Sequence, residues 1–227
     1  VRVIDDFTPN FPADLCIHQG LILSEAKCGK NTFGGPDFVL IRKEITKNQS
    51  FRKSVGGLDV LIVGGGSDPY GFVRALMGNF DGVVEDCTFH VFTNSTFEVP
   101  PKVKTVIYPI GPGLDRVASK ADLVITTASS SSLEFVAREI PTLVVCATDN
   151  QKALYRQLGD FRFARQVGFL NDSRNWEFDM TSIAAAIESC EIREGLRNKT
   201  EGLIDLRGPQ RVVSLIESHL AKGASSS

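Results

Sequence analysis

No stretch of this chain is apolar over anything near the roughly 20 residues that a bilayer-spanning helix needs. It opens Val-Arg-Val-Ile-Asp-Asp, without the basic region and apolar core of a secretory leader. Neither sign of charge is in excess. With 25 Lys and Arg against 27 Asp and Glu, the net charge is −2, so there is no bulk attraction to nucleic acid or to an anionic membrane. Histidine is scarce. His18, His90 and His219 are scattered and form no zinc pattern, and His90, inside an apolar run, reads as a core residue. The cysteines (Cys16, Cys28, Cys87, Cys146, Cys190) are odd in number, widely spaced and without a C-x-x-C pair. That argues against a disulfide framework and for a reduced, cytoplasmic protein, with Cys87 and Cys146 as buried thiols. The N-x-S/T sequons at Asn48, Asn94, Asn171 and Asn198 are then chance matches. Asp5-Asp6 has no third ligand at metal-binding spacing, and a structural or interdomain role is expected for it. A G-x-S-x-G nucleophile elbow is also missing.

What is present is the composition of a globular domain, 42% hydrophobic and 23% charged over 227 residues. Short apolar runs at 2–4, 14–18 and 38–41 read as strands with no long helix between them. A complete α/β domain would place helices of about 10 or more residues between parallel strands. Residues 1–52 are therefore expected to be the end of an N-terminal Rossmann-like domain with its linker, the polar stretch 47–57. From 53 to 222 the pattern is regular. Strands are predicted at 59–63, 88–93, 105–108, 123–125, 142–146 and 167–170. Helices are predicted at 69–80, 113–120, 133–139, 152–158, 182–189, 193–203 and 209–222. This alternation predicts α/β architecture, a doubly wound parallel sheet with helices on both faces. Residues 223–227 read as a small, polar, disordered tail.

The pattern turns on residues 121–151, a strand–turn–helix–strand–turn unit whose two polar edges lie at strand carboxyl ends, where such sheets bind ligands. The first edge, 126–132, is seven small residues, six of them with hydroxyls. Within it Ser131-x-x-Glu134 matches a capping box. Glu134 thus has two readings: a cap for its own helix, or a carboxylate in the first turn that takes a pair of ribose hydroxyls. The second edge is Asp149-Asn150-Gln151, equally readable as a helix cap or as sugar-binding polar groups. Upstream, Gly64-Gly65-Gly66-Ser67-Asp68-Pro69 follows a buried strand and opens a helix, with Ser67 or Asp68 as its cap and Pro69 at its first position. There backbone amides and a helix N-terminus can hold a phosphate, or the glycines serve only a tight turn. The loop is not a Walker A sequence. It lacks the third glycine of a dinucleotide fingerprint, and the next strand ends without the ribose-binding acid, so a nicotinamide dinucleotide is not expected. No cofactor is implied.

The series V-I-D-D-F (3–7), D-L-C-I-H-Q (14–19), F-V-L-I-R-K-E (38–44), G-G-G-S-D-P (64–69), A-D-L-V-I (121–125), S-S-L-E (131–134), P-T-L-V-V (141–145), D-N-Q (149–151) and G-P-Q-R-V-V (208–213) resembles the UDP-sugar hydrolase of pseudaminic acid biosynthesis and its spore-coat polysaccharide relatives. More distantly it resembles the GlcNAc transferase of peptidoglycan synthesis. The resemblance implies a GT-B fold, two Rossmann-like domains facing across a cleft, with this chain matching the C-terminal nucleotide-sugar-binding part. It implies a UDP-sugar ligand. Gly65, Gly66, Ser67, Thr127, Ser129, Ser130, Ser131 and Ser132 would lie at the diphosphate, Glu134 at the ribose, and Asp149, Asn150 and Gln151 at the sugar. The family's base is a histidine on a Gly-rich loop of the N-terminal domain, a segment without an equivalent here, so no catalytic residue is assigned. The glycines usual in the second loop are replaced by Thr127-Ala128-Ser129-Ser130. The expected activity is hydrolysis or glycosyl transfer at an anomeric C–O bond. The alternative is a non-catalytic nucleotide-sugar-binding module or split partner, completed by a second copy or by a partner N-terminal domain.

Overall fold

A computed structural model of the chain describes residues 2–4, 13–21, 31–45, 57–80 and 86–224. The expectations for Asp5-Asp6, Cys28 and nearly all of the 47–57 linker fall outside these residues.

The larger of two sheets is built on three short apolar strands, β4 (Leu58–Val63), β7 (Leu123–Thr127) and β8 (Thr142–Cys146). Successive side chains of a strand point to opposite faces. Here both faces are covered, so the strands read as nearly continuous apolar runs. Leu58, Val60, Ile62, Leu123, Ile125, Leu143 and Val145 pack on one face, against α1 (Phe72–Met77) and α5 (Met180–Glu188). Leu61, Val63 and Val124 pack on the other, against α2 (Leu114–Ala118) and α3 (Ser130–Ala137). Val144, on that same face, meets α3 and α4 (Lys152–Asp160). Adding β5 (Cys87–Phe92), β6 (Thr105–Tyr108), β9 (Arg165–Leu170) and β10 (Trp176–Phe178), the order across the sheet is β10-β9-β8-β7-β4-β5-β6. All pairs are parallel except β9–β10. Counted from β4 as the first strand, this is the 3-2-1-4-5-6 order of doubly wound nucleotide-binding folds, with an antiparallel strand added at one edge. The order reverses between β4 and β7.

The smaller sheet is β1 (Arg2–Ile4), β2 (Cys16–His18) and β3 (Thr32–Phe33), in that order and parallel. The strand expected at 38–41 is not formed. A 3-10 turn occupies Pro36–Phe38, and the backbone beyond it is extended but unladdered, because the Leu40 amide donates to the Gln19 side chain at 2.9 Å. Val39, Ile41 and Ile45 pack instead on α3 and α4. The third strand is the two-residue β3, too short to show as a pattern. The closing helix α7 (Gly208–Ala224) lays Val212, Leu215 and Ile216 on Leu15, Ile17 and Phe33 of the small sheet. It extends two residues into the stretch expected to be a tail.

Helix starts differ from expectation where a side chain outcompetes the next turn. The helix expected over 69–80 is only Phe72–Met77. Asp68 sits at φ 45° and Gly71 at φ 62°, which turns the chain before the helix begins. Helix α6 spans Cys190–Thr200, opened by Ser189, whose hydroxyl accepts from the Ile192 amide at 3.2 Å. Helix α5 is capped by Asp179, which accepts from Ser182 N at 2.9 Å. Strand β10 was not foreseen: three residues, Trp-Glu-Phe, are too few for alternation to be distinctive.

Candidate functional site

The β4 and β7 carboxyl ends diverge at the switch point and leave a crevice between two loops. After β4, Gly64 is buried beneath Asp68. A Cβ at Gly64 would stand 2.6 Å from Asp68 Cγ and 2.8 Å from its Oδ1. Asp68 needs that space because its carboxylate turns inward to accept the Phe72 and Val73 amides at 2.8 and 3.0 Å. Burial raises the Asp68 pKa, and the two amides oppose the shift. The α1 N-terminus, expected to be open to a ligand anion, is therefore occupied by the chain's own carboxylate. Gly65 follows at φ 83°, a conformation that favours glycine. Gly66 has no heavy atom within 4 Å of where its Cβ would be.

The facing loop is more ordered than a run of hydroxyls suggests. Thr126 is fully buried and ties β7 to β4 through Oγ1 donating to Val63 O at 2.9 Å. Ser129 is the N-cap of α3, but its side chain makes no capping bond. Ser132 is also fully buried. Its hydroxyl donates to Ser129 O at 2.6 Å and its amide donates to the same oxygen at 2.9 Å. This places Ser132 away from the crevice, while Thr127, Ser129, Ser130 and Ser131 line it. The first amides of an α-helix have no intrahelical partner, so the α3 N-terminus presents donors and the positive end of its dipole to this space.

The capping box is not formed. Ser131 lies inside α3, and Glu134 receives a bidentate pair from Arg42, Nε to Oε1 at 2.7 Å and Nη2 to Oε2 at 2.8 Å. The same guanidinium reaches Asp115 Oδ1 at 3.5 Å, and Asp115 also pairs with Arg138, a guanidinium only 2% exposed. The Glu134 carboxylate raises the Arg42 pKa well above its ordinary value. Glu134 does not line the crevice. It stands one turn further along α3 than Ser130 and Ser131. Of the second polar edge, only Gln151 reaches the crevice, with its Oε1 accepting from the Ala147 amide at 2.8 Å. Asp149 is exposed and pairs with Lys152 at 2.7 Å. Asn150 pairs with Thr148 Oγ1 and lines a smaller adjoining hollow with Gln19, Gly20, Ser129 and Ser130.

The crevice encloses about 300 Å³ between Gly64–Tyr70 and Thr127–Ser131. No Lys or Arg lines it, and its one carboxylate, Asp68, is committed to α1. What it offers is backbone donors, hydroxyls and a helix dipole, the complement of an anion with distributed charge. A wider groove of about 580 Å³ lies at the opposite end of the strands, with Arg162, Arg165 and Lys199 on its walls. It is remote from the switch point. Among the described residues no cluster of His, Cys, Asp or Glu could hold a metal ion, and no helix is long and apolar enough to cross a membrane. His90 is partly buried in β5, where it meets Asp59 Oδ1 at 2.8 Å and the Tyr108 hydroxyl at 3.1 Å. Sequence reasoning missed Asp68 as an internal anion, Tyr70 and Gln19 as lining groups, and Arg42 as the partner of Glu134. Gln19, Asp68 and Arg42 had a signal in their places within the D-L-C-I-H-Q, G-G-G-S-D-P and F-V-L-I-R-K-E segments, but the partner of Arg42 is 92 residues away.

No family model and no curated protein sequence matches this chain. Solved structures do. MurG of Acinetobacter baumannii superposes with a TM-score of 0.67 at 14% identity, over 91% of this chain and 60% of MurG. The kitacinnamycin glycosyltransferase gives 0.62 at 17% identity, over 91% and 55%. The spinosyn rhamnosyltransferase SpnG, in complex with thymidine diphosphate, gives 0.54 at 15%, over 89% and 57%. The chain thus spans little more than half the length of the structures it resembles. The likeness does not single out the hydrolases of pseudaminic acid biosynthesis. At these identities the similarity speaks for architecture, and the chain has the α/β fold of GT-B glycosyltransferases.

Proposed function

We propose that this chain is the nucleotide-sugar-binding part of a GT-B hydrolase or glycosyltransferase acting at an anomeric C–O bond. The observation that carries the reading is the crevice at the switch point, walled by Gly65–Ser67 on one side and by the α3 N-terminus on the other. A nucleotide diphosphate would lie there, its charge met by amides, the Ser129, Ser130 and Ser131 hydroxyls and the α3 dipole. Glu134, one turn along α3, would take the ribose hydroxyls, and Gln151 with its neighbours would lie toward the sugar. Two of the structurally similar glycosyltransferases carry thymidine diphosphate, which supports a nucleoside diphosphate as the ligand class.

Chemically, the chain's contribution is to leaving-group departure. As the anomeric C–O bond breaks, negative charge grows on the diphosphate. Fixed donors aimed at that charge stabilise the transition state more than the ground state. The same contacts hold the anomeric carbon in place for an attacking water or hydroxyl. No histidine lines the crevice, and we assign no base to it. The attacking group would be activated from the other wall of a GT-B cleft.

Titration calorimetry with UDP tests this. Hydrogen bonds to a charged group contribute about 1.5–3 kcal/mol each, so Glu134→Ala should weaken UDP by about tenfold or more. A chain that binds neither UDP nor thymidine diphosphate at millimolar concentration would refute the proposal. UDP binding without turnover of any UDP-sugar would fit a donor-binding part working with a second domain or chain.

A further inference from the structure

A carboxylate that recognises a diol has to be held in a fixed plane, and Glu134 is held by a residue far away in sequence. Arg42 follows Val39 and Ile41, which are 0% and 5% exposed and packed against Leu133 and Val136 of α3. Alternation along the extended backbone places Arg42 on the opposite side, over the outer face of the helix. Its two-point contact, 2.7 and 2.8 Å, takes one lone pair from each Glu134 oxygen. A carboxylate offers about four acceptor positions in all, so acceptor capacity remains on both oxygens. The guanidinium is braced in turn by Asp115, itself paired with the buried Arg138. The Glu134 side chain is 16% exposed, that of Arg42 50%. The arrangement is a relay, Arg138 to Asp115 to Arg42 to Glu134, running from the core to one half-buried carboxylate beside the crevice.

We infer that Arg42 is a positioning residue for nucleotide recognition: its fork fixes the Glu134 carboxylate so that the remaining acceptor positions meet the 2′- and 3′-hydroxyls of a ribose. The inference rests on the reading of the crevice as a nucleotide diphosphate site. A fork is required and not merely a positive charge. Lysine would supply a point charge that leaves the carboxylate free to rotate. Arg42 is therefore a determinant of ribose over 2′-deoxyribose, as distinct from overall affinity for the anion.

The test is calorimetry on the full chain with UDP and 2′-deoxy-UDP, comparing wild type, Arg42→Lys and Arg42→Gln, with circular dichroism melts as a check on folding. Wild type is expected to prefer UDP by about tenfold, the worth of one hydrogen bond to a charged group. In Arg42→Lys the preference should fall to about threefold or less, while affinity for 2′-deoxy-UDP stays within about threefold of wild type. Arg42→Gln should lose the preference in the same way. Retention of the full preference in both variants would overturn the inference and make Arg42 a strap that only joins residues 38–45 to α3. Tighter UDP binding by either variant would also overturn it, because Arg42 would then be competing with the ribose. If wild type binds UDP but shows no preference, the inference falls while the diphosphate site stands. If wild type binds no nucleotide, the reading of the site fails first.

Discussion

Gly64 and Gly66 of the β4 loop should respond very differently to the same methyl group. At Gly64 the added Cβ would lie 2.6–2.8 Å from three atoms of Asp68, well inside contact distance. Asp68 cannot step aside cheaply, since it is 6% exposed and holds the first two amides of α1. Losing such a cap costs about 0.5–2 kcal/mol, and overpacking a tight site costs about 1–3 kcal/mol. Gly64→Ala should therefore destabilise by about 2–4 kcal/mol, a large part of the 5–15 kcal/mol typical of a domain. At Gly66 the same Cβ meets nothing within 4 Å, and Gly66→Ala should stay within about 0.5 kcal/mol of wild type. It should nonetheless weaken nucleotide binding, because the methyl enters the space where phosphate would approach. The assay is urea unfolding followed by the single tryptophan. Trp176 donates through Nε1 to Tyr70 O at 2.9 Å and packs 5.4 Å from Phe72 at the start of α1, so its fluorescence reports the affected region. Equal midpoints for Gly64→Ala and wild type would refute the packing argument. So would a Gly66→Ala midpoint as low as that of Gly64→Ala.

Two further predictions concern titration and reactivity. Arg211 pulls the Asp205 pKa down to about 2 and also donates to Asp37 O at 3.1 Å, joining α7 to the 3-10 turn. A depressed carboxyl contributes stability that is complete above its unfolded pKa of about 4 and is lost as pH falls toward 2. The urea-midpoint gap between wild type and Asp205→Asn should hold from pH 5 to 8 and close below pH 4, and a gap that widens in acid would contradict the assignment. It should be small, since the pair is partly in water. Among the described cysteines, Cys190 is exposed while Cys16, Cys87 and Cys146 are buried. Burial, with the Asp59 carboxylate adding to it, pushes the Cys87 thiol up to about 12. Iodoacetamide at pH 8 should label Cys190 in the folded protein and Cys87 only after unfolding, as read by peptide mass spectrometry. Native-state labelling of Cys87 would count against its placement.

The fold was legible where burial on both faces forces apolar runs, as in β4, β7 and β8, and where Gly-rich or hydroxyl-rich turns separate them. It was illegible where pairing partners decide. Residues 38–41 have a strand's composition, but the Leu40 amide goes to Gln19 and two apolar side chains go to α3. The candidate site was legible as two loops at strand ends and not in its internal bonding. Nothing local distinguishes Ser132, which spends its hydroxyl on Ser129 O, from Ser130 and Ser131, which face the crevice. Asp68 looked like a simple cap, and its effect is larger: it fills the anion position at α1 and leaves the α3 N-terminus as the open one. The capping box at Ser131 and Glu134 failed for a similar reason. The helix starts two residues earlier than the box allows, with Ser129 and not Ser131 as its N-cap, and a guanidinium from residue 42 is a stronger partner for Glu134 than a backbone amide.

A diphosphate held between Gly65–Ser67 and Ser129–Ser131 can be located by a UDP titration followed through backbone amide chemical shifts. Saturable shifts concentrated on the amides of these two loops, with Glu134 and Gln151 next in size, are the predicted result. No saturable shift at millimolar UDP would refute a nucleotide site in this crevice, and so would shifts centred instead on the groove around Arg162, Arg165 and Lys199.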